Sequence, residues 1–184
     1  MADVGGGTVA RSRAILDQPE LNIAIFAFLL NYPWEFLQIP LYAMPLDRLP
    51  SEVIRICSIA AVGDAVIMLV SYWAVVLFAR SRWWILRPIA RQILGFIAVG
   101  VFITIAIEHL ATQSDHPLWS WRYARSMPVA PVVGTGLLPL MQWLILPPLA
   151  LWFIARQLDH LWRPTSAGGL SDRRQSPGIE PATR

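Results

Sequence analysis

The chain has 184 residues, enough for one domain; 55% are hydrophobic and 15% charged, and the mean hydropathy of +0.49 lies above the usual soluble range. All 15 basic residues are arginine, so no lysine exists to form a Schiff base or to reach a phosphate from a P-loop. A single cysteine, Cys57, excludes an intramolecular disulfide and a cysteine cluster, and a net charge of +3 spread around apolar segments argues against a nucleic-acid partner.

Residues 1–19, Gly-rich with two arginines, read as a flexible or interfacial cytoplasmic arm. Four apolar segments follow, at about 21–44, 53–79, 89–111 and 131–155. Each is long enough to cross a hydrocarbon core of ~30 Å at a helical rise of ~1.5 Å per residue. The expected fold is all-α: an integral membrane protein whose transmembrane domain, 20–163, is a four-helix up-and-down bundle with short loops. The first segment begins too late and is too polar for a cleaved signal peptide. Pro33 is expected to kink the first helix. Gly134, Gly136, Pro139, Pro147 and Pro148 disturb the fourth, whose regular helix is expected from near Leu137. Residues 164–184, small, polar and Pro-rich, read as a disordered tail.

Arg11, Arg13, Arg80, Arg82, Arg87, Arg91, Arg156 and Arg163 fall on one side of this layout, and Arg48, Arg55, Arg122 and Arg125 on the other. The positive-inside rule then places both termini in the cytoplasm. Trp83, Trp84 and Trp162 would mark the inner interface, and Trp119, Trp121 and Tyr123 the outer one.

Each apolar segment carries one polar stripe at helical spacing. Asn31, Glu35, Gln38 and Tyr42 share a face, as do Cys57, Ala60, Ala61, Asp64, Met68 and Ser71 in the second segment. Gly100, Thr104 and Glu108 recur every four residues in the third, and Thr135 and Gln142 are seven apart in the fourth. Converging stripes would form a polar interior. Glu35 and Asp64 lie ~14 and ~16 Å deep, near the midplane, and Glu108 only ~5 Å deep. An ionised acid at the membrane centre costs at least about 2.5 kcal/mol, so Glu35 and Asp64 need partners, water or a proton. With no arginine at that depth, at least one of the two is expected to be protonated and bonded to Gln38, Asn31 or Gln142. Glu35, Asp64 and Glu108 are therefore the candidate acid–base residues. Asn31, Trp34, Gln38, Tyr42, Gln142, Trp143, Trp121 and Tyr123 are candidates to bind substrate or support them. Asn31, Thr104, Thr135 and Ser71 also suit a role as interhelical hydrogen-bond glue. His109 and His116 near the outer surface read as structural or interfacial; neither a metal nor a cofactor is called for.

The segments "YPWEFLQIPLY", "GDAVIML", "EHL" and "WSWRYARSMPVAPVVGTGLLPLMQW", in that order, resemble small bacterial four-helix membrane proteins of unassigned activity. The likeness covers nearly the whole apolar part and implies a multi-pass protein of the bacterial inner membrane. "PWEFLQI" also loosely resembles the Pro-x-Glu pattern of membrane lycopene cyclases and carotenoid hydratase-type proteins. It departs from them at Ile39, where the cyclases carry phenylalanine, and at Gln142, where an acid is expected. That resemblance implies acid chemistry on an isoprenoid.

Three functions fit the residues. The buried acids could isomerise, hydrate or cyclise a lipid or isoprenoid, with Glu35 and Asp64 as acid and base, Gln38 and Gln142 orienting them, and Trp34, Trp143 and Tyr42 lining the pocket. The chain could instead be a structural or assembly subunit of a larger membrane complex, or a homo-oligomer, its stripes serving as packing glue. Carboxylates at staggered depths could also form a proton or cation pathway. The sequence leaves open whether the protein is an enzyme; the partner it implies most directly is membrane lipid or an apolar small molecule.

Overall fold

Proline begins two of the four helices. Helix α1 (Pro19–Gln38) and helix α2 (Pro50–Ala79) each carry it in the first turn. There its fixed φ suits the helix, and its missing N–H would have no intrahelical partner anyway. Helix α2 ends at Arg80, which turns left-handed at φ 52° and donates its N–H to the Val76 carbonyl. A 3-10 turn, Arg82–Leu86, leads to helix α3 (Ala90–Gln113), and helix α4 (Leu137–Leu158) closes the set. This computed structural model describes residues 16–44, 48–116 and 119–159. Among them there is no β-strand, only two isolated bridges. Most of the expected arm (1–19), the whole of the expected tail (164–184), Trp162 and Arg163 lie outside the described residues.

Helix α1 packs on α2 and α4, α2 packs on α3, and α3 packs on α4, so the four helices close into a ring. Their ends show that successive helices run in opposite directions. At one end Arg82, just past α2, donates to Glu20 of α1 through Nε (3.1 Å) and Nη2 (2.6 Å). At the other end the stretch after α1 meets the stretch after α3: Ala43 N donates to Arg122 O (2.8 Å) and Ala124 N to Leu41 O (2.9 Å).

Helices α2, α3 and α4 are long and apolar enough to cross a membrane. Their outward faces fit that setting: Leu77, Phe78 and Phe102 are 76%, 87% and 73% exposed. Helix α1 falls outside that set because Glu20, Asn22, Asn31, Glu35 and Gln38 dilute its apolar content. Pro33 in α1 and Pro147 and Pro148 in α4 lie within helices that continue past them.

Two boundaries differ from the apolar segments. Regular α-helix ends at Gln38, because Pro40 supplies no N–H to extend the ladder, and a 3-10 turn, Ile39–Leu41, follows. Tyr42 therefore leaves the helical stripe of Asn31, Glu35 and Gln38. Helix α4 starts at Leu137; residues 129–136 form a tight turn instead, in which Ala130 and Thr135 bond backbone to backbone. Gly134 sits there at φ 66°, a conformation glycine adopts without penalty.

The two halves of the bundle differ. Near the N-terminal end of α1 the interior is apolar, with Ile23, Met68, Tyr72, Trp84, Phe96 and Ile154 buried together. Ala27, Ala61 and Ala150 are fully buried, small residues of the kind that let helices pack closely in lipid, where van der Waals packing replaces the hydrophobic effect as the source of helix association. Near the C-terminal end of α1 the interior is polar.

Candidate functional site

The polar stripes of α1, α2 and α4 converge on one amide. Gln142 Nε2, on α4, donates to Asn31 Oδ1 (2.6 Å) and to Asp64 Oδ2 (2.8 Å), with Glu35 Oε1 at 3.4 Å. Gln38 Nε2, one turn beyond Glu35, donates to Glu35 Oε1 at 2.8 Å. Glu35 and Asp64 are thus joined through the Gln142 amide. Asn31 donates to the Ala27 carbonyl (2.7 Å), which fixes its side chain so that Oδ1 faces Gln142. No arginine bonds to this cluster among the described residues.

A second acid sits toward the same end of the bundle. Glu108 on α3 is buried and accepts from three neutral donors: Tyr42 Oη (3.3 Å), Trp121 Nε1 (3.0 Å) and Tyr123 Oη. Tyr123 Oη in turn accepts from the backbone N–H of Gly136 (2.9 Å), so the residue that precedes α4 is tied to Glu108 through a phenol. Tyr42 and Tyr123 come from the two loops that pair backbone to backbone, and their rings lie 5.7 Å apart. The 3-10 turn that takes Tyr42 off α1 is what lets it reach α3.

Between the two acids lies a cavity of about 460 Å³. Glu35, Asp64, Glu108, Gln38, Gln142 and Tyr42 all face it. Ile56, Ile59, Ala60, Gly63 and Ile67 of α2 form an apolar wall opposite Thr104 and Ile107 of α3. Ile59 and Ile107 line the cavity yet are 60% and 40% exposed, so it opens sideways between α2 and α3. Two buried wall atoms, Gln38 Oε1 and Thr104 Oγ1, have no hydrogen-bond partner among the described residues.

Of the residues singled out by sequence, Trp121 and Tyr123 enter through Glu108, and Trp121 also lines the cavity. Trp34 and Trp143 stand apart from it. Trp143 is buried against Gly100 instead, and the indole N–H of each has no partner among the described residues. His109 lies beside Gln113, and His116 stacks on Trp119. Sequence reasoning missed the rim: Arg48, Arg55 and Arg122 line the cavity, as does Thr104, which was read as glue. The available signal was that these arginines cluster at the membrane end nearest the acids.

The two loop phenols give a pH expectation. Burial, followed by the charge of Glu108, pushes Tyr42 above the ordinary tyrosine value of 10.0; burial and then the hydrogen bond to Glu108 do the same for Tyr123. The folded protein thus keeps protons that the unfolded chain releases. Their contribution to stability is complete below pH 10 and is lost as the pH rises above it. In a phenolate absorbance titration these tyrosines should ionise late, with thermal stability falling above about pH 10. A late step left unchanged by Tyr42→Phe and Tyr123→Phe would contradict this.

No family model, curated protein or solved structure matches the chain.

Proposed function

We propose that this protein is a membrane enzyme that performs acid–base chemistry on a lipid or isoprenoid held in the cavity. The observation that carries the reading is the cavity itself: Glu35 and Asp64, both bonded to Gln142, face a laterally open space with an apolar wall. Side chains that served only to bind helices would close on one another and leave no such room. In this reading all four helices cross the bilayer, α1 included, with both termini in the cytoplasm and the cavity facing the outer half of the membrane.

A proton shared between two carboxyls in a dry pocket is available to an alkene. The π electrons form the new C–H bond and leave a cation on the adjacent carbon, whose positive charge offsets the negative charge that the carboxyl pair gains on giving up the proton. Loss of a proton from a neighbouring carbon back to the pair completes an isomerisation. Attack by a second double bond before that loss gives cyclisation, and addition of water gives hydration. None of these needs an oxidant or reductant. Gln142 and Gln38 hold the carboxyls in place, and the faces of Trp121 and Tyr42 can stabilise the cation.

Gly63 supplies the test. Gly63 lines the cavity, and a Cβ built there meets nothing within 4 Å. Wild-type protein purified in mild detergent should retain an unsaturated apolar molecule by mass spectrometry, and Gly63→Leu should lose it while unfolding at the same temperature or higher. The same bulk lipids on both proteins would speak for a packing role.

A further inference from the structure

Resting on that reading, we propose that the ligand is an amphiphile with a phosphate head, its phosphate held at the cavity rim by Arg48 and Arg55 and its unsaturated chain running inward to Glu35 and Asp64. Three arginines line the cavity. Arg122 is already engaged: it donates to Asp115 Oδ1 at 2.6 Å and to the Thr112 carbonyl. Arg48 and Arg55 have no ion pair or hydrogen bond of their side chains among the described residues, and both are exposed at the rim. Glu108 takes its hydrogen bonds from Tyr42, Trp121 and Tyr123 and none from an arginine, and Glu52, three residues before Arg55 in the first turn of α2, makes no ion pair with an arginine among the described residues.

Among the described residues, the rim therefore presents two unpaired arginines beside a cavity whose α2 wall is apolar. One carboxylate head would leave one of them unanswered. A phosphate monoester carries a charge of about −1.5 to −2 near neutral pH and offers the oxygens that two planar guanidinium forks can share. A free phosphate would satisfy the arginines but would leave the apolar wall of Ile56, Ile59 and Ile67 uncovered. The sideways opening between α2 and α3 suits a ligand that arrives from the bilayer.

Register along α2 sets where chemistry falls on such a chain. Arg55 and Asp64 are nine residues apart on one helix, ~14 Å along its axis at ~1.5 Å per residue. Ile59, Ala60 and Gly63 line the cavity over that interval. The double bond that meets Asp64 is thus not the one beside the phosphate but one farther along the chain. The two buried unpartnered atoms, Gln38 Oε1 and Thr104 Oγ1, lie on the wall that this length of ligand would pass.

The test compares four probes on the full chain in lipid nanodiscs: farnesyl monophosphate, farnesol, inorganic phosphate, and nanodiscs of phosphatidylglycerol against phosphatidylcholine. Farnesyl monophosphate should bind about 100-fold more tightly than farnesol, at about tenfold for each arginine. The Arg48→Gln/Arg55→Gln double variant should bring the two ligands level without lowering the unfolding temperature. Inorganic phosphate should compete only weakly, and the change to phosphatidylglycerol should leave binding unaltered. Equal binding of the phosphate and the alcohol by wild type, with Gly63→Leu excluding both, overturns the phosphate head and leaves the acid–base cavity standing. Competition by inorganic phosphate as strong as by the prenyl phosphate makes the rim a free-phosphate site and overturns the chain assignment. Full competition by phosphatidylglycerol makes the rim a bulk headgroup site and overturns it equally. Failure of both farnesyl probes to bind at all removes the cavity reading together with this proposal.

Discussion

Exchange of Asp64 for asparagine, or Glu35 for glutamine, should lower turnover of the apolar substrate by about 10²–10⁴-fold, the contribution general acid–base catalysis usually makes. The reason lies in what these changes keep. An amide at position 64 still has an oxygen to accept from Gln142 and can offer an N–H to Glu35, so the hydrogen-bonded cluster survives. What disappears is the proton that, on the proposed mechanism, the two carboxyls share. Because an acid near the middle of the membrane is costly, thermal stability should hold or rise in both variants. The double variant should be no slower than the worse single one, since two groups that share one proton fail as a unit. A packing role predicts the reverse pattern, with stability lost and lipid chemistry untouched.

A large effect on folding is expected at Gly100. A Cβ there would lie 2.0 and 2.1 Å from ring carbons of Trp143, whose indole is fully buried where α4 meets α3. No rotamer change of a methyl relieves that overlap, so the helices must separate or the indole must leave its site. Gly100→Ala should cost about 3 kcal/mol, the upper end of ordinary overpacking penalties. Gly63→Ala, in open space, should gain about 1 kcal/mol from helix propensity alone. Thermal unfolding in detergent separates the two. Pairing Gly100→Ala with Trp143→Leu should recover most of the loss, because the smaller side chain makes room for the methyl. An unchanged unfolding temperature for Gly100→Ala alone would mean that α3 and α4 do not meet in this register.

The polar stripes were legible because helical periodicity assigns residues to faces. Asn31, Glu35 and Gln38 recur at one-turn spacing, and Gln142 is the one amide of α4 that could answer them. Helices α2, α3 and α4 were legible from apolar length. Periodicity names a face but not its partner, and the second acid shows where that ends. Glu108 could be read as interfacial, because its three donors come from two loops whose pairing depends on backbone bonds between residues 41–43 and 122–124. Tyr42 was assigned to the helix stripe; the 3-10 turn at Pro40 carries it instead toward α3. Trp121 was read as belt as well as site, and its indole N–H donates to Glu108. Trp143 fits a pocket by residue type, yet the absent side chain at Gly100 draws it into packing. Arg48 and Arg55 were counted for topology, a use of arginine that hides any ligand it also holds.

The central claim, that Glu35 and Asp64 act chemically on a molecule in the cavity, is tested most directly by lipid extracts of cells expressing wild type, Glu35→Gln and Asp64→Asn at equal levels. The same unsaturated apolar species should accumulate in both variants, with its isomerised, hydrated or cyclised product depleted. Extracts indistinguishable from wild type in both would contradict the account and leave the acid pair as part of the helix packing.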